Sequence, residues 1–166
     1  YAQLANSLVR GDGLAWDAAH PTSIRPPLYP AFVAGIWSLA GVSNLQAVRF
    51  CQFALSLVTM WVVYEIGRRS FSEVVGRYAA AISWLYPSLI FFNFTILTET
   101  LFTLLLMAFV LLTIMLVEQG RAWIAIGCGI TLGLAALTRS ALWPVPAVLC
   151  PLLAYLVRGS WRQKFA

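Results

Sequence analysis

Apolar residues run along the chain in long blocks that short polar stretches separate. A helix needs about 20 mainly apolar residues to cross a bilayer, because it rises about 1.5 Å per residue and the hydrocarbon core is about 30 Å thick. By this measure the pattern predicts five membrane-spanning helices. They cover residues 45–66, 78–92, 99–117, 123–137 and 142–157.

The region between residues 78 and 117 must contain a break. As one helix it would be about 60 Å long, which is twice the thickness of the bilayer core. Asn93, Thr95 and Glu99 supply polar positions at which the helix can be interrupted. We therefore predict that a new helix starts after Thr98, which is a suitable N-cap residue.

A shorter apolar block, residues 31–41, covers only about half of the bilayer core. We predict a helix that either lies at the membrane interface or packs on the bundle. Pro30 suits its first turn, where the missing amide donor is not needed. Gly41 suits its C-terminal end.

The composition agrees with a membrane protein. The chain is 61% hydrophobic and 10% charged, and its mean hydropathy is +0.82. Soluble domains carry about 25% charged residues. We predict an all-α, polytopic helical bundle of the membrane. It starts at Tyr1 and ends in a basic segment, so we expect a partial fold that belongs to a longer protein.

The net charge of +5 does not indicate a nucleic-acid partner, because the arginines are spread among loops and form no basic stripe. Cys51, Cys128 and Cys150 lie in apolar segments without metal-like spacing, so we interpret them as small buried residues. His20 has no His or Cys neighbour. The sequence therefore predicts no metal centre from these residues.

Positive charge indicates the orientation of the chain, because cytoplasmic loops of membrane proteins are enriched in Lys and Arg. With five spans, three basic segments share one side, which we predict to be cytoplasmic. Their basic residues are Arg68, Arg69, Arg77, Arg121, Arg158, Arg162 and Lys164.

The opposite face then collects charged residues from separate segments. Arg25 precedes two prolines, Arg49 lies in the first turns of a helix, Glu99 begins another helix, and Arg139 ends a fourth segment. Arginine binds phosphate through a bidentate fork, which favours a specific anion site. Two simpler explanations stay open: a favourable helix dipole for Glu99, and arginines that reach lipid headgroups.

Four stretches together resemble a known family. "LANSLVRGDG" with "PTSIRPPLYPAFVAG" resembles the first extracytoplasmic loop of the polyprenyl-phosphate-sugar-dependent glycosyltransferases of the C-type superfamily. That superfamily includes bacterial aminoarabinose transferases and protein O-mannosyltransferases. "NLQAVRF", "ILTETLFTLLL" and "GLAALTRSA" are similar to its second helix, its second outer loop and a later phosphate-facing segment. The resemblance covers essentially the whole chain.

The resemblance implies roles for these residues. Arg25 and Arg139 would contact the phosphate of the lipid carrier, and Arg49 is a weaker candidate for the same role. Glu99 would be the catalytic residue that this chain contributes, and it would either orient the acceptor or help to hold a divalent cation. In the family a catalytic aspartate follows the first transmembrane helix. We expect both features upstream of Tyr1, so that this chain lacks the catalytic base.

The implied reaction is inverting transfer of a hexosyl or pentosyl group from a polyprenyl phosphate to a protein, lipid or glycan acceptor. The active site would be extracytoplasmic, in a multi-pass protein of the bacterial inner or plasma membrane. Residues 1–44 would form the first outer loop with juxtamembrane helices, residues 45–157 the five-helix bundle, and residues 158–166 a cytoplasmic basic segment.

A second hypothesis is a non-enzymatic transporter or flippase component for a lipid-linked sugar. It also explains arginines that bind an anion. It predicts polar residues and discontinuous helices near the middle of the membrane. The middle positions of the predicted spans are almost entirely apolar, which favours a transferase.

Overall fold

The computed structural model describes residues 1–16, 25–142, 144–145, 147 and 151. This part of the chain is all-α and contains no β-strand. Its helices are α1 (Ala2–Arg10), α2 (Leu28–Ala40), α3 (Leu45–Ser70), α4 (Glu73–Leu85), α5 (Pro87–Phe94), α6 (Glu99–Gln119) and α7 (Ala122–Thr138), followed by a short 3-10 helix (Ser140–Leu142).

Two helices, α3 and α6, are long and apolar enough to cross a membrane. The pair α4 and α5 also qualifies when it is counted as one broken span, whereas α7 has 17 residues and is shorter. Four of the five predicted spans thus coincide with described helices, and the number of true crossings stays a prediction. Most of the fifth predicted span lies outside the described residues, as do Asp17, His20, Cys150 and the basic segment 158–166.

The predicted helix over residues 78–92 is not continuous, because α4 and α5 meet at an angle of 52°. Pro87 occupies the first position of α5 and has no amide hydrogen to donate to the preceding turn. A residue before proline also avoids the helical region, and Tyr86 is extended with ψ 115°. The break therefore follows from this one proline.

The predicted break before α6 is present. Residues 95–98 are not helical, and Thr98 occupies the N-cap position of α6. Its side chain makes no capping hydrogen bond. The break turns the chain back, so that α5 and α6 both contribute their ends to the same end of the bundle.

The short helix α2 packs on the bundle, which is one of the two alternatives that its length left open. Tyr29, Val33 and Trp37 recur at every fourth position and are buried against α1 and α3. The Trp37 indole nitrogen donates to the backbone oxygen of Asn44 at 3.3 Å. The Asn44 side chain in turn caps α3 by accepting from the Ala47 amide at 3.1 Å.

The other end of the bundle carries charge pairs and tight turns. Gly120 ends α6 in the left-handed conformation at φ 63° and allows a close hairpin with α7. Arg69 at the end of α3 pairs with Glu118 at the end of α6, with 3.1 Å between Nη1 and Oε2. These contacts place the last turns of α3 and α6 at the end opposite Glu99.

Candidate functional site

A cavity of about 320 Å³ brings together three of the four residues proposed from the sequence. Arg25 approaches it from the segment before α2, Glu99 from the first turn of α6, and Arg139 from the residue that follows α7. The remaining residues that line this cavity are Tyr1, Pro26, Leu97, Thr98, Thr138 and Ser140.

Glu99 and Arg139 form the polar centre of the cavity. Glu99 Oε1 lies 3.9 Å from Arg139 Nη1, and the two side chains are 23% and 49% exposed. The second carboxylate oxygen, Oε2, is buried and has no hydrogen-bond partner among the described residues. Because an unpaired buried acceptor is unfavourable, this oxygen is suited to accept a hydrogen bond from a bound group.

Each arginine of the cavity lies over an aromatic ring. The Arg139 guanidinium lies 5.5 Å from the centre of the Phe102 ring. Arg25 lies 5.5 Å from the centre of the Tyr1 ring. Stacking uses the flat face of a guanidinium and leaves its N–H edge available, and that edge is the part that binds phosphate oxygens.

The backbone explains how these side chains reach the cavity. Thr138 is buried and ends α7, and Arg139 follows it in an extended conformation. Pro26 and Pro27 lead from Arg25 directly into α2, and proline restricts the backbone on that path. Glu99 lies in the first turn of α6, where the helix dipole stabilises a negative charge.

Tyr29 adds a neutral hydroxyl close to Glu99. It is fully buried, and this burial together with the negative charge of Glu99 raises the pKa of the Tyr29 hydroxyl above its ordinary value. The hydroxyl also accepts a hydrogen bond from Gln52 Nε2 at 3.2 Å. Tyr29 therefore remains protonated at neutral pH.

Arg49 does not line this cavity. Its Nε donates to the backbone oxygen of Phe94 at 3.2 Å. It lies at a separate, mainly apolar groove of about 580 Å³ between α3, α4, α5 and α6. The groove and the cavity flank the start of α6, since Thr100 lines the groove and Glu99 lines the cavity. The structure thus separates Arg49 from the other three candidates.

The described residues contain no group of three or more His, Cys, Asp or Glu that could hold a metal ion. Sequence reasoning missed Tyr29 and Gln52, which both lie beside the cavity. The available signal for Gln52 was a lone amide within the otherwise apolar stretch "FCQFAL" of α3.

The apolar helices define an integral membrane protein in which two arginines and a glutamate line one cavity at one end of the bundle. The family model for dolichyl-phosphate-mannose-protein mannosyltransferases matches residues 24–166, and the chain belongs to this family. This confirms the resemblance to C-type glycosyltransferases. No curated protein and no solved structure matches the chain.

Family membership together with the apolar helices supports a multi-pass integral membrane protein with glycosyltransferase activity. The family uses lipid-linked sugar donors, and its acceptors are proteins or glycans. The roles of Arg25, Arg49, Glu99 and Arg139 stay predictions.

Proposed function

We propose that this chain forms the phosphate-binding part of an extracytoplasmic glycosyltransferase that uses a polyprenyl-phosphate sugar as donor. One observation carries the proposal: Arg25 and Arg139, which are far apart in the sequence, line the same cavity with Glu99. Two guanidinium groups match the phosphate of the donor, and a carboxylate beside them matches a polar acceptor.

The reaction would proceed at the anomeric carbon of the donor sugar. The acceptor oxygen or nitrogen forms a bond to this carbon on the face opposite the phosphate, and the bond from the carbon to the phosphate oxygen breaks. A general base takes the acceptor proton. Negative charge builds up on the leaving lipid phosphate, and Arg25 and Arg139 stabilise it.

The charge distribution supports an extracytoplasmic location for the cavity. Arg68, Arg69 and Arg121 lie near the ends of α3 and α6, and the ion pair between Arg69 and Glu118 joins those ends. The 21 residues of α6 separate Glu118 from the cavity by about 30 Å, which is the thickness of the bilayer core. The positive-inside tendency then assigns the arginine-rich end to the cytoplasm.

The proposal is tested by arginine substitutions in the full-length protein. We expect Arg25→Ala and Arg139→Ala each to reduce sugar transfer about a hundredfold or more, because removal of one stabilising group at a developing charge has effects of this size. Membrane insertion should stay unchanged. Arg77→Ala is the matched control, since Arg77 is exposed and pairs with Glu73 on α4. Wild-type turnover in Arg25→Ala would remove Arg25 from the mechanism.

One observation bears on the transporter alternative. The break between α4 and α5 is a discontinuous helix, as a transport path would require. However, residues 79–92 around the break carry no charged side chain, and Ser83 bonds to the oxygens of Ala79 and Ala80 in its own helix. In proteoliposomes, the transferase account expects product only when an acceptor is present. Movement of a lipid-linked sugar across the bilayer without an acceptor would favour the transporter.

A further inference from the structure

Gln52 is a fully buried amide about two turns from the start of the apolar helix α3. Its Nε2 lies near three acceptors: Tyr29 Oη at 3.2 Å, the Thr95 oxygen at 3.1 Å and the Leu97 oxygen at 3.4 Å. Two of these are backbone carbonyls, which can only accept, so the amide must turn its donor side toward them. Its two N–H groups are thus shared among three acceptors.

The groups that Gln52 bonds belong to the loop before Glu99 and to helix α2, which follows Arg25. Thr95 and Leu97 lie in the loop that leads into Glu99, and Leu97 itself lines the cavity. Tyr29 follows Arg25 by four residues and lies at the start of α2. Among the described residues, no backbone amide bonds to the oxygens of Thr95 or Leu97. The side chain of Gln52 therefore provides the hydrogen bonds that hold this loop against α3.

The other atom of the same amide indicates that stability alone does not explain this residue. Gln52 Oε1 is buried and has no hydrogen-bond partner among the described residues. A buried acceptor without a partner is unfavourable, whereas an apolar side chain of the same shape avoids this loss. Gln52 thus bonds the loop and Tyr29 through the donor side of its amide alone.

We propose that Gln52 is a positioning residue that fixes the loop carrying Glu99 relative to the helix that follows Arg25. This inference rests on the proposed function, because it assigns Gln52 the task of keeping Glu99 in register with the two arginines. It does not require Gln52 to touch the donor or the acceptor.

The test is Gln52→Met in the full-length protein, because methionine keeps the length of the side chain and removes its donors. We expect kcat for sugar transfer to fall about a hundredfold, as displacement of a catalytic group by about 1 Å can cause. The KM for the lipid-linked donor should stay close to the wild-type value, since Arg25 and Arg139 are retained. A role in packing alone predicts wild-type kcat.

Hydrogen exchange gives a second measurement that does not depend on activity. We expect faster loop exchange in Gln52→Met, measured at the Phe102 amide, which donates to the oxygen of the loop residue Thr98 at 2.9 Å. Without the hydrogen bonds from Gln52 the loop is held less firmly against α3, and this first bond of α6 opens more often. Thr59→Val is the matched control. Thr59 is buried on α3, but its hydroxyl bonds to the Leu55 oxygen of the same helix at 2.8 Å and not to the loop. We expect wild-type kcat and wild-type loop exchange in this control.

The outcomes separate this inference from the proposed function. If the wild-type full-length protein transfers no sugar from a lipid-linked donor, the proposed function fails. If the wild type is active and Arg25→Ala is inactive, but Gln52→Met keeps wild-type kcat and loop exchange, only the inference about Gln52 fails. Should Gln52→Met not insert, Gln52→Asn carries the same test, because it keeps an amide but shortens its reach. Wild-type kcat in that variant would also overturn the inference.

Discussion

Glu99 has two carboxylate oxygens in different surroundings. Oε1 lies within ion-pair distance of Arg139, whereas Oε2 is buried without a partner among the described residues. Such an arrangement suits a carboxylate that receives a ligand on one oxygen while a guanidinium holds the other. It also agrees with both roles that the sequence left open, which are orientation of the acceptor and binding of a divalent cation.

Glu99→Gln in the full-length protein distinguishes these two roles. We expect transfer to fall about a hundredfold, because the amide has no charge to hold Arg139 or to bind the incoming group. If Glu99 orients the acceptor, the KM for the acceptor rises in the variant. A chelator then has the same effect on transfer as in the wild type. If Glu99 helps to hold a cation, the variant loses the chelator sensitivity of the wild type. Glu118→Gln, at the other end of α6, is the control and should keep wild-type transfer.

At the level of single residues, the sequence predicted which residues are candidates for the site. It was less successful in predicting which cavity each side chain lines. Arg25, Glu99 and Arg139 were predicted to share one membrane face, and they line one cavity. Arg49 was placed with them on the same argument, yet α3 is rotated so that Val48 and Gln52 are buried and Arg49 lies at the groove. The rotation of α3 about its axis is set by tertiary packing. In an almost uniformly apolar helix, the sequence does not indicate which face is buried.

The helices, like the single residues, were predicted only in part. The starts of α3 and α6 were predicted closely: the predicted spans begin at residues 45 and 99, and the helices begin at Leu45 and Glu99. Helix α1 lies in the region 1–44, for which juxtamembrane helices were predicted, but its bounds were not predicted, since its nine residues form no apolar block. The break at Pro87 was missed because the apolar run continues through it.

The hairpin of α3 and α4 depends on two facing glycines. A Cβ atom added to Gly76 would lie 2.7 Å from the Tyr64 oxygen and 2.9 Å from the Arg68 nitrogen. Gly67 approaches Gly76 equally closely, with 2.7 Å between its added Cβ and the Gly76 Cα. Both contacts involve backbone atoms, which cannot move without separating the helices.

We therefore expect Gly76→Ala to destabilise the full-length protein by about 1–3 kcal/mol, as overpacking does in other well-packed interiors. Thermal unfolding in detergent measures the effect. Gly129→Ala is the matched control, because nothing lies within 4 Å of its added Cβ, and alanine favours a helix by about 1 kcal/mol over glycine. Equal unfolding temperatures for Gly76→Ala and the wild type would contradict the close packing of α3 and α4.

For the whole molecule, the orientation in the membrane decides on which side transfer occurs. We predict that Ser140, next to Arg139, faces the extracytoplasmic side and that Ser70, at the end of α3, faces the cytoplasm. Single-cysteine variants Ser140→Cys and Ser70→Cys, made in a full-length background without native cysteines, test this orientation. A membrane-impermeant thiol reagent should label the first in intact cells and the second only after permeabilisation. The reverse pattern would contradict the orientation.

As proposed above, Arg25 and Arg139 bind the phosphate of a lipid carrier in one cavity. Binding of polyprenyl monophosphate to the purified full-length protein tests it most directly, with polyprenol, which lacks the phosphate, as the ligand control. Because a charge-assisted hydrogen bond contributes about 1.5–3 kcal/mol, we predict that Arg25→Ala and Arg139→Ala each raise the Kd about tenfold to a hundredfold. Arg77→Ala should leave the Kd unchanged. Wild-type Kd values in both cavity variants would contradict the account.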